Sequence, residues 1–206
     1  ITAVSATIIA VNISKIYHSV PDAIRNAFFQ VVSISTTTGY ATADFDLWPS
    51  LSKGILLILM TIGACAGSTA GGLKVSRVIL LFKMIAKEVK RMIHPRSVSA
   101  VKFEGKEVDE HTQNSVTTYF AVYMLSFFII FLILCIEPFS FETNFSAALS
   151  CFNNVGPGFA GVGPMMNYAE YSYFSKLVLS FAMLLGRLEI FPLLIATIPS
   201  TWKKKS

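Results

Sequence analysis

The chain has 206 residues, of which 53% are hydrophobic and only 14% charged, and its mean hydropathy is +0.60. This composition excludes an ordinary soluble domain and indicates a protein whose solvent is the lipid bilayer. The net charge of +5 comes mainly from one central stretch and the C-terminal tail, which indicates membrane topology and no nucleic-acid partner.

In chain order, an apolar segment at residues 1–13 reads as the end of a helix that continues from a longer chain. An amphipathic helix at 21–35, about 22 Å long, is too short to cross the roughly 30 Å hydrocarbon core. A polar turn at 36–40 follows it, and then a long apolar helix at 54–84 that small residues interrupt. Together these elements predict one pore repeat over residues 1–92.

The second half has the same order of elements after a cytoplasmic linker at 93–114. A second pore repeat of this kind is predicted over residues 115–206. Its predicted parts are a helix at 116–136, a pore helix at 142–153, a filter turn at 154–158, a helix at 174–198 and a basic tail.

Matching residues support the repeat because they share one sequence offset. The pairs are Phe28 and Phe145, Ser33 and Ser150, and Gly39 and Gly156. The predicted fold class is therefore an all-α membrane protein of repeated units around a central pore. Each unit has a transmembrane helix, a pore helix with its filter loop, and a second transmembrane helix.

Lysine and arginine set the predicted orientation. They concentrate between residues 74 and 106 and again at 203–205, so the positive-inside rule places the linker 85–114 and the C-terminal tail in the cytoplasm. Both pore helices then enter from the outer face. The acidic residues expected at that outer mouth are Asp44, Asp46, Glu137, Glu142 and Glu170.

The two polar turns are the predicted selectivity filter. Irregular backbone is tolerated at membrane depth only where protein buries it or water lines it, and glycine allows successive carbonyls to face one K⁺. Ordinary turns also contain Gly, Pro and Asn, but two turns at one position of consecutive repeats favour a pore. The predicted backbone ligands of K⁺ belong to Thr37, Thr38, Gly39, Tyr40, Asn154, Val155, Gly156 and Pro157.

The run GACAGSTAGG at residues 63–72 has two interpretations. Its glycines form a small-residue stripe that lets helices pack closely, or they unwind the helix, at about 1 kcal/mol each relative to alanine, to make a gating loop. A phosphate-binding loop is excluded by the spacing before Lys74. The predicted gating residues are Gly63, Gly67, Ser68, Thr69, Gly71 and Gly72.

Arg187 is predicted to lie near the middle of the last span, where a lipid-facing cation costs about 2.5 to 3.5 kcal/mol. It is expected either in a structural ion pair or as a fixed charge that opposes cation flow. No catalytic residue is predicted, because His18, His94 and His111 have neither a paired nucleophile nor metal-ligand spacing.

Four motifs, STTTGY, GACAGSTAGGLKVSR, NNVGPGF and MLLGRLEIFPLL, resemble the Trk/Ktr/HKT superfamily of potassium transporters, and most closely its bacterial Trk members. The resemblance covers nearly the whole chain and implies the third and fourth of four repeats, that is, a C-terminal half. It implies filter glycines at Gly39 and Gly156, a gating loop at 63–72 and a cavity arginine at Arg187. The second turn departs from the family pattern, since Asn-Val-Gly-Pro lacks hydroxyl side chains.

The resemblance also implies partners. These are membrane lipid, a second copy in a homodimer, and a cytoplasmic Trk-type regulatory subunit that binds any nucleotide, so this chain needs no cofactor besides the transported K⁺. The leading hypothesis is channel-like K⁺ uptake across the inner membrane, driven by a potential worth about 2.3 kcal/mol per charge per 100 mV. The alternatives are transport coupled to Na⁺ or H⁺, with Glu189 as the coupling carboxylate, and a non-conducting scaffold.

Overall fold

The computed structural model describes residues 1–17, 19–63, 72–94, 100–103 and 105–188. The helices within these ranges are α1 (Thr2–Ile13), α2 (Val20–Ser35), α3 (Ser50–Thr61), α4 (Val75–Ile93), α5 (Glu110–Leu134), α6 (Phe141–Phe152) and α7 (Tyr173–Arg187). Two short ladders join connecting segments: β1 (Ile62–Gly63) pairs in parallel with β2 (Leu73–Lys74), and β3 (Lys102–Phe103) pairs antiparallel with β4 (Lys106–Glu107). The all-α class predicted from the sequence is confirmed.

The two pore helices, α2 and α6, begin at clear local signals. Pro21 and Asp22 occupy the first turn of α2, after an extended N-cap residue. In α6 the Ser140 hydroxyl accepts a hydrogen bond from the Thr143 amide at 3.2 Å. With 16 and 12 residues, they are about 24 and 18 Å long at 1.5 Å per residue, so neither spans a bilayer.

The helix predicted at 116–136 begins earlier, at Glu110, and ends at Leu134. It starts there because the Asp109 carboxylate accepts a hydrogen bond from the Thr112 amide at 3.2 Å and caps the helix ahead of the apolar run. Within the described ranges, α5 is the one helix whose length and composition suit a membrane crossing.

The helix predicted at 54–84, with an interruption by small residues, is two helices, α3 and α4. The chain leaves helical geometry at Ile62, pairs β1 with β2, and resumes as α4, which continues to Ile93 instead of ending near residue 84. The β3–β4 hairpin then occupies part of the segment predicted as a linker at 93–114. The helix predicted at 174–198 is α7, and its residues from 189 onward lie outside the described residues.

Small residues pack the helices of the first repeat against each other, and aromatic rings pack those of the second. Ala6 and Ala10 of α1 and Ala23 and Ala27 of α2 are all buried, and small side chains allow close approach of helices. Between α5 and α6 the packing is aromatic, for example where Phe127 contacts Phe145 edge to face at 5.3 Å. This packing fixes both pore helices, so the turns after their C-termini are held by rigid elements.

Candidate ion pathway

The turns after the two pore helices have the same backbone conformation. In the first turn Thr37 has φ of 54° and Gly39 has φ of 78°, and in the second Asn154 has φ of 57° and Gly156 has φ of 110°. Left-handed geometry is uncommon for residues other than glycine. Its recurrence at equivalent positions shows that the two repeats fold alike at this site.

Backbone hydrogen bonds also match between the turns. The Thr38 amide donates to the Ser33 carbonyl at 2.8 Å, and the Val155 amide donates to the Ser150 carbonyl at 2.9 Å. Each bond folds the chain back over the last turn of its pore helix. The carbonyls of that last turn and the turn itself are thus held in one compact unit.

Ser33 and Ser150 fix the turns through their hydroxyls, a role that the sequence interpretation did not give them. The Ser33 hydroxyl donates to the Tyr40 carbonyl at 2.6 Å. The Ser150 hydroxyl accepts from the Gly156 amide at 3.0 Å. Both serines are buried. Their equivalent positions in the two pore helices are the sequence feature that could have indicated this role.

The two turns contact each other. A Cβ atom built on Gly39 would collide with the Val155 carbonyl oxygen and lie 3.3 Å from Cδ of Pro157. Only glycine therefore fits at this position, for reasons of both space and φ. The structure brings the two predicted filter segments together, as a shared ion pathway requires.

The predicted filter carbonyls differ in their hydrogen bonding. The Tyr40 carbonyl accepts from Ser33, and the Gly156 carbonyl accepts from the Tyr168 hydroxyl at 2.8 Å. Burial raises the pKa of Tyr168 well above its ordinary range, so this hydroxyl remains a donor at neutral pH. Among the described residues, no donor reaches the carbonyl oxygens of the other six predicted ligands, which are Thr37, Thr38, Gly39, Asn154, Val155 and Pro157.

The side chains of the filter residues also differ in placement. Tyr40 is 74% exposed, so its ring lies outside the core, whereas the Val155 side chain is only 3% exposed. The Thr38 hydroxyl lies 2.8 Å from that of Thr36. Pro157 is half-buried beside Gly39. Among the predicted filter residues themselves, hydroxyl side chains therefore occur only in the first turn, in agreement with the departure noted in the second.

Asn153, the residue that follows the last turn of α6, supports the second turn through its side chain. The sequence interpretation did not single it out. Its amide nitrogen donates to the Leu149 carbonyl at 2.9 Å, and its oxygen accepts from the Tyr123 hydroxyl at 2.7 Å. A Cβ on Gly72 would lie 2.5 Å from the same oxygen. Asn153 therefore contacts both α5 and the end of the segment predicted to gate the pore.

The helix α7 also closes on the second turn. The Asn154 side-chain amide donates to the Met183 carbonyl at 3.1 Å. A Cβ on Gly186 would collide with the Phe152 carbonyl, so this glycine permits close approach of α7 to the end of α6. The glycine of the MLLGR motif therefore has a packing role that its motif alone did not reveal.

The predicted gating residues are only partly described. Gly63 is buried at the end of β1, and Gly72 has φ of 83°. Gly67, Ser68, Thr69 and Gly71 lie outside the described residues. Arg187 is exposed at the C-terminal end of α7, and the segment that continues the predicted span lies outside the described residues.

Acidic groups at the predicted outer mouth have partners. Lys53 donates to Asp46 at 2.9 Å and lies 3.9 Å from Glu142. The Glu137 carboxylate accepts from the Ser172 amide at 3.2 Å and the Ser175 hydroxyl at 2.6 Å. No group of three His, Cys, Asp or Glu side chains that could hold a metal occurs within the described ranges.

The repeated pore helices and the paired turns define a helical membrane transport protein. The chain matches the TrkH family, described as a cation transport protein, over residues 1–204. It belongs to that family.

Named relatives agree with this assignment. The chain is 41% identical over 187 residues to the Trk system potassium uptake protein TrkH of Vibrio parahaemolyticus, covering 91% of this chain and 38% of that protein. It is 37% identical over 190 residues to the protein of the same name in Escherichia coli, covering 92% and 39% respectively. The chain spans about two-fifths of the length of these curated relatives.

The fold is also similar to a solved structure. The crystal structure of the potassium transporter TrkH from Vibrio parahaemolyticus aligns with a TM-score of 0.89 at 38% sequence identity. The alignment covers 98% of this chain and 43% of that chain. The helical membrane-transporter fold predicted from the sequence is confirmed by this similarity.

Proposed function

We propose that this chain forms part of a potassium uptake pathway, as the third and fourth pore repeats of a longer transporter. The contact between Gly39 and the Val155 carbonyl carries the proposal, because it places two like-folded turns side by side at the ends of two half-membrane helices. The C-termini of pore helices bear roughly half a negative charge. Cations are therefore favoured at this junction.

The proposed ligands are the carbonyl oxygens that have no donor among the described residues. They belong to Thr37, Thr38, Gly39, Asn154, Val155 and Pro157. The carbonyls of Tyr40 and Gly156 instead hold their turns in shape through Ser33 and Tyr168. Backbone oxygens in such rings replace the hydration shell of K⁺, and no covalent chemistry is needed.

Gating is proposed at residues 63–72, whose C-terminal end lies against Asn153. A rearrangement there would act on the second turn directly, because Asn153 precedes the filter residue Asn154. The proposed setting is the inner membrane, with the basic linker and tail in the cytoplasm. A homodimer and a cytoplasmic regulatory subunit of the Trk type complete the proposal.

The test is rubidium uptake by the full-length protein in cells that lack other potassium uptake systems. Gly156→Ser is suited to it because a Cβ there meets nothing within 4 Å, so the change acts on a backbone with φ of 110°. We expect uptake to fall about 10-fold or more. A loss of about 1.4 kcal/mol in the free energy of ion binding lowers the affinity for the ion tenfold. The matched control is Gly54→Ala, an exposed helical glycine with equally open surroundings.

The alternatives make different predictions in the same system. Uptake unaffected by Gly156→Ser would support a scaffold that does not conduct. In proteoliposomes, a reversal potential that follows the K⁺ gradient alone supports a channel-like pathway, whereas a dependence on Na⁺ or H⁺ gradients supports coupled transport.

Arg187→Ala is expected to raise basal uptake, because a fixed positive charge at the end of α7 opposes cation flow. The measurement is uptake normalised to the amount of folded protein in the membrane. Unchanged or lower uptake by folded protein would assign Arg187 a structural role. Lys176→Ala on the same helix, whose ammonium donates to the Ala169 carbonyl, is the control for loss of a positive charge.

A further inference from the structure

A basic cleft lies between α4 and the β3–β4 hairpin, away from the filter. Its volume is about 260 Å³, and four lysines line it: Lys83, Lys87, Lys90 and Lys102. Three of them recur on α4 at intervals of four and three residues, so they share one face of the helix. Positive charge is therefore concentrated on both walls of one concave surface.

The lysine charges in this cleft have no carboxylate partner in the described part of the chain. Lys83 donates to the Lys102 carbonyl at 2.7 Å, which holds the hairpin against α4. Glu88 instead pairs with Arg91 at 3.7 Å. Glu107 is opposite Lys102 in the ladder, yet no ion pair within 4 Å joins them. The cleft is thus suited to an anion with several acceptor oxygens.

An exposed apolar face adjoins the lysine face of α4. Phe82 is 67% exposed, Ile85 58% and Val89 50%. Phe82 and Ile85 also line an apolar cleft of about 350 Å³ between α3, α4 and α5. A helix with adjacent basic and apolar faces is typical of the membrane interface, where headgroups and acyl chains meet.

We propose that this surface binds an anionic phospholipid. The headgroup phosphate lies among Lys83, Lys87, Lys90 and Lys102, and the acyl chains follow Phe82, Ile85 and Val89. Charge complementarity and the adjoining apolar face together favour a lipid, because a soluble phosphate uses only the lysines. The site does not depend on the assignment of the filter.

The test measures lipid binding to the full-length protein in neutral detergent by native mass spectrometry. The probes are phosphatidylglycerol and, as the neutral comparison, phosphatidylcholine. The variant K87Q/K90Q removes two lysines of the cleft, and K15Q/K106Q removes two exposed lysines that do not line it. Each lysine near an anionic lipid is worth about fivefold in affinity.

We expect phosphatidylglycerol to bind roughly 25-fold more weakly to K87Q/K90Q, while K15Q/K106Q and the phosphatidylcholine signal stay unchanged. K90Q alone, which removes an exposed side chain, should show about one fivefold step. Equal phosphatidylglycerol affinity in K87Q/K90Q and K15Q/K106Q would overturn the proposal.

Two further outcomes separate the lipid from other anionic partners. Sodium phosphate that fully displaces phosphatidylglycerol at millimolar concentration would assign the cleft to a free anion and overturn the lipid. K87Q/K90Q that loses binding of the cytoplasmic regulatory subunit but keeps phosphatidylglycerol binding would assign the surface to that protein. Retention of phosphatidylglycerol by wild-type protein in the presence of phosphate supports the proposal.

Discussion

At the scale of single residues, Ser33 and Ser150 show how the same side chain supports two turns in different ways. Ser33 donates to a carbonyl, whereas Ser150 accepts from an amide. Both are buried, and a buried polar group left without its partner costs about 1–3 kcal/mol. The hydroxyls therefore hold the end of each turn, and they make no hydrogen bond to the carbonyls of Thr37, Thr38, Asn154 and Val155.

Gly39→Ala is expected to lower the stability of the protein. The left-handed φ of 78° alone costs an alanine about 1–2 kcal/mol, and its Cβ would collide with the Val155 carbonyl. Gly54→Ala is the control, since it lies in an exposed helix interior and should stabilise by about 0.5–1 kcal/mol. The measurement is the apparent melting temperature of purified full-length protein, and equal shifts for both variants would contradict a contact between the turns.

At the scale of elements, a series of aromatic contacts connects three helices to the second turn. The Arg77 guanidinium of α4 lies 3.9 Å from the Tyr119 ring centroid on α5. The Tyr119 and Tyr123 rings stack at 6.5 Å, and Tyr123 donates to Asn153 after α6. These contacts form a continuous series of packed side chains from α4 to the second turn.

Tyr123→Phe tests this connection because it removes only the hydroxyl that reaches Asn153. The buried Asn153 oxygen loses its donor, so we expect a loss of about 1–3 kcal/mol in stability and a higher half-saturating K⁺ concentration for uptake. Tyr173→Phe, at a side chain that is 89% exposed, is the control and should change neither quantity. Altered stability with unchanged K⁺ dependence would limit Tyr123 to a structural role.

Glu137 connects the end of α5 to the start of α7 through hydrogen bonds whose contribution to stability depends on pH. Hydrogen bonds from Ser172 and then Ser175 hold the pKa of its carboxyl below the ordinary value of 4.5. Its stabilising effect is therefore complete above pH 4.5 and is lost as the pH falls through the lower folded-state value. Glu137→Gln should lower the melting temperature at pH 7 and have a smaller effect below pH 4, whereas an equal effect at both pH values would contradict the assignment.

Local sequence signals account for the elements that could be predicted, and long-range contacts account for the rest. The predicted range 21–35 and the observed helix Val20–Ser35 lie close together because Pro21 and the later glycine are local markers. The predicted start of α5 is later than the observed start, because the continuous apolar run begins at Val116 whereas the helix is capped at Asp109. The contact of Gly39 with Val155 joins distant parts of the chain, and no local pattern encodes it.

At the scale of the whole molecule, the two repeats meet through a polar cluster and an aromatic contact near the predicted outer face. Lys53 of the first repeat lies 3.9 Å from Glu142 of the second. Phe45 and Phe159 pack edge to face at 5.5 Å, and both are buried. An ion pair and a buried aromatic contact therefore both join the two repeats. The free energy that each contributes decides which one dominates.

The aromatic contact is expected to dominate. Glu142 is 57% exposed at its side chain, so a double-mutant cycle of Lys53→Met and Glu142→Gln should give a coupling of only about 0.2–1 kcal/mol. Phe45→Ala removes a buried ring and should cost about 3–5 kcal/mol, measured by thermal unfolding of the full-length protein. Because Phe159 lies close to the second turn, Phe45→Ala should also weaken K⁺ uptake, whereas Lys53→Met should leave it nearly unchanged. A coupling between Lys53 and Glu142 larger than the cost of Phe45→Ala would instead assign the junction of the repeats to electrostatics.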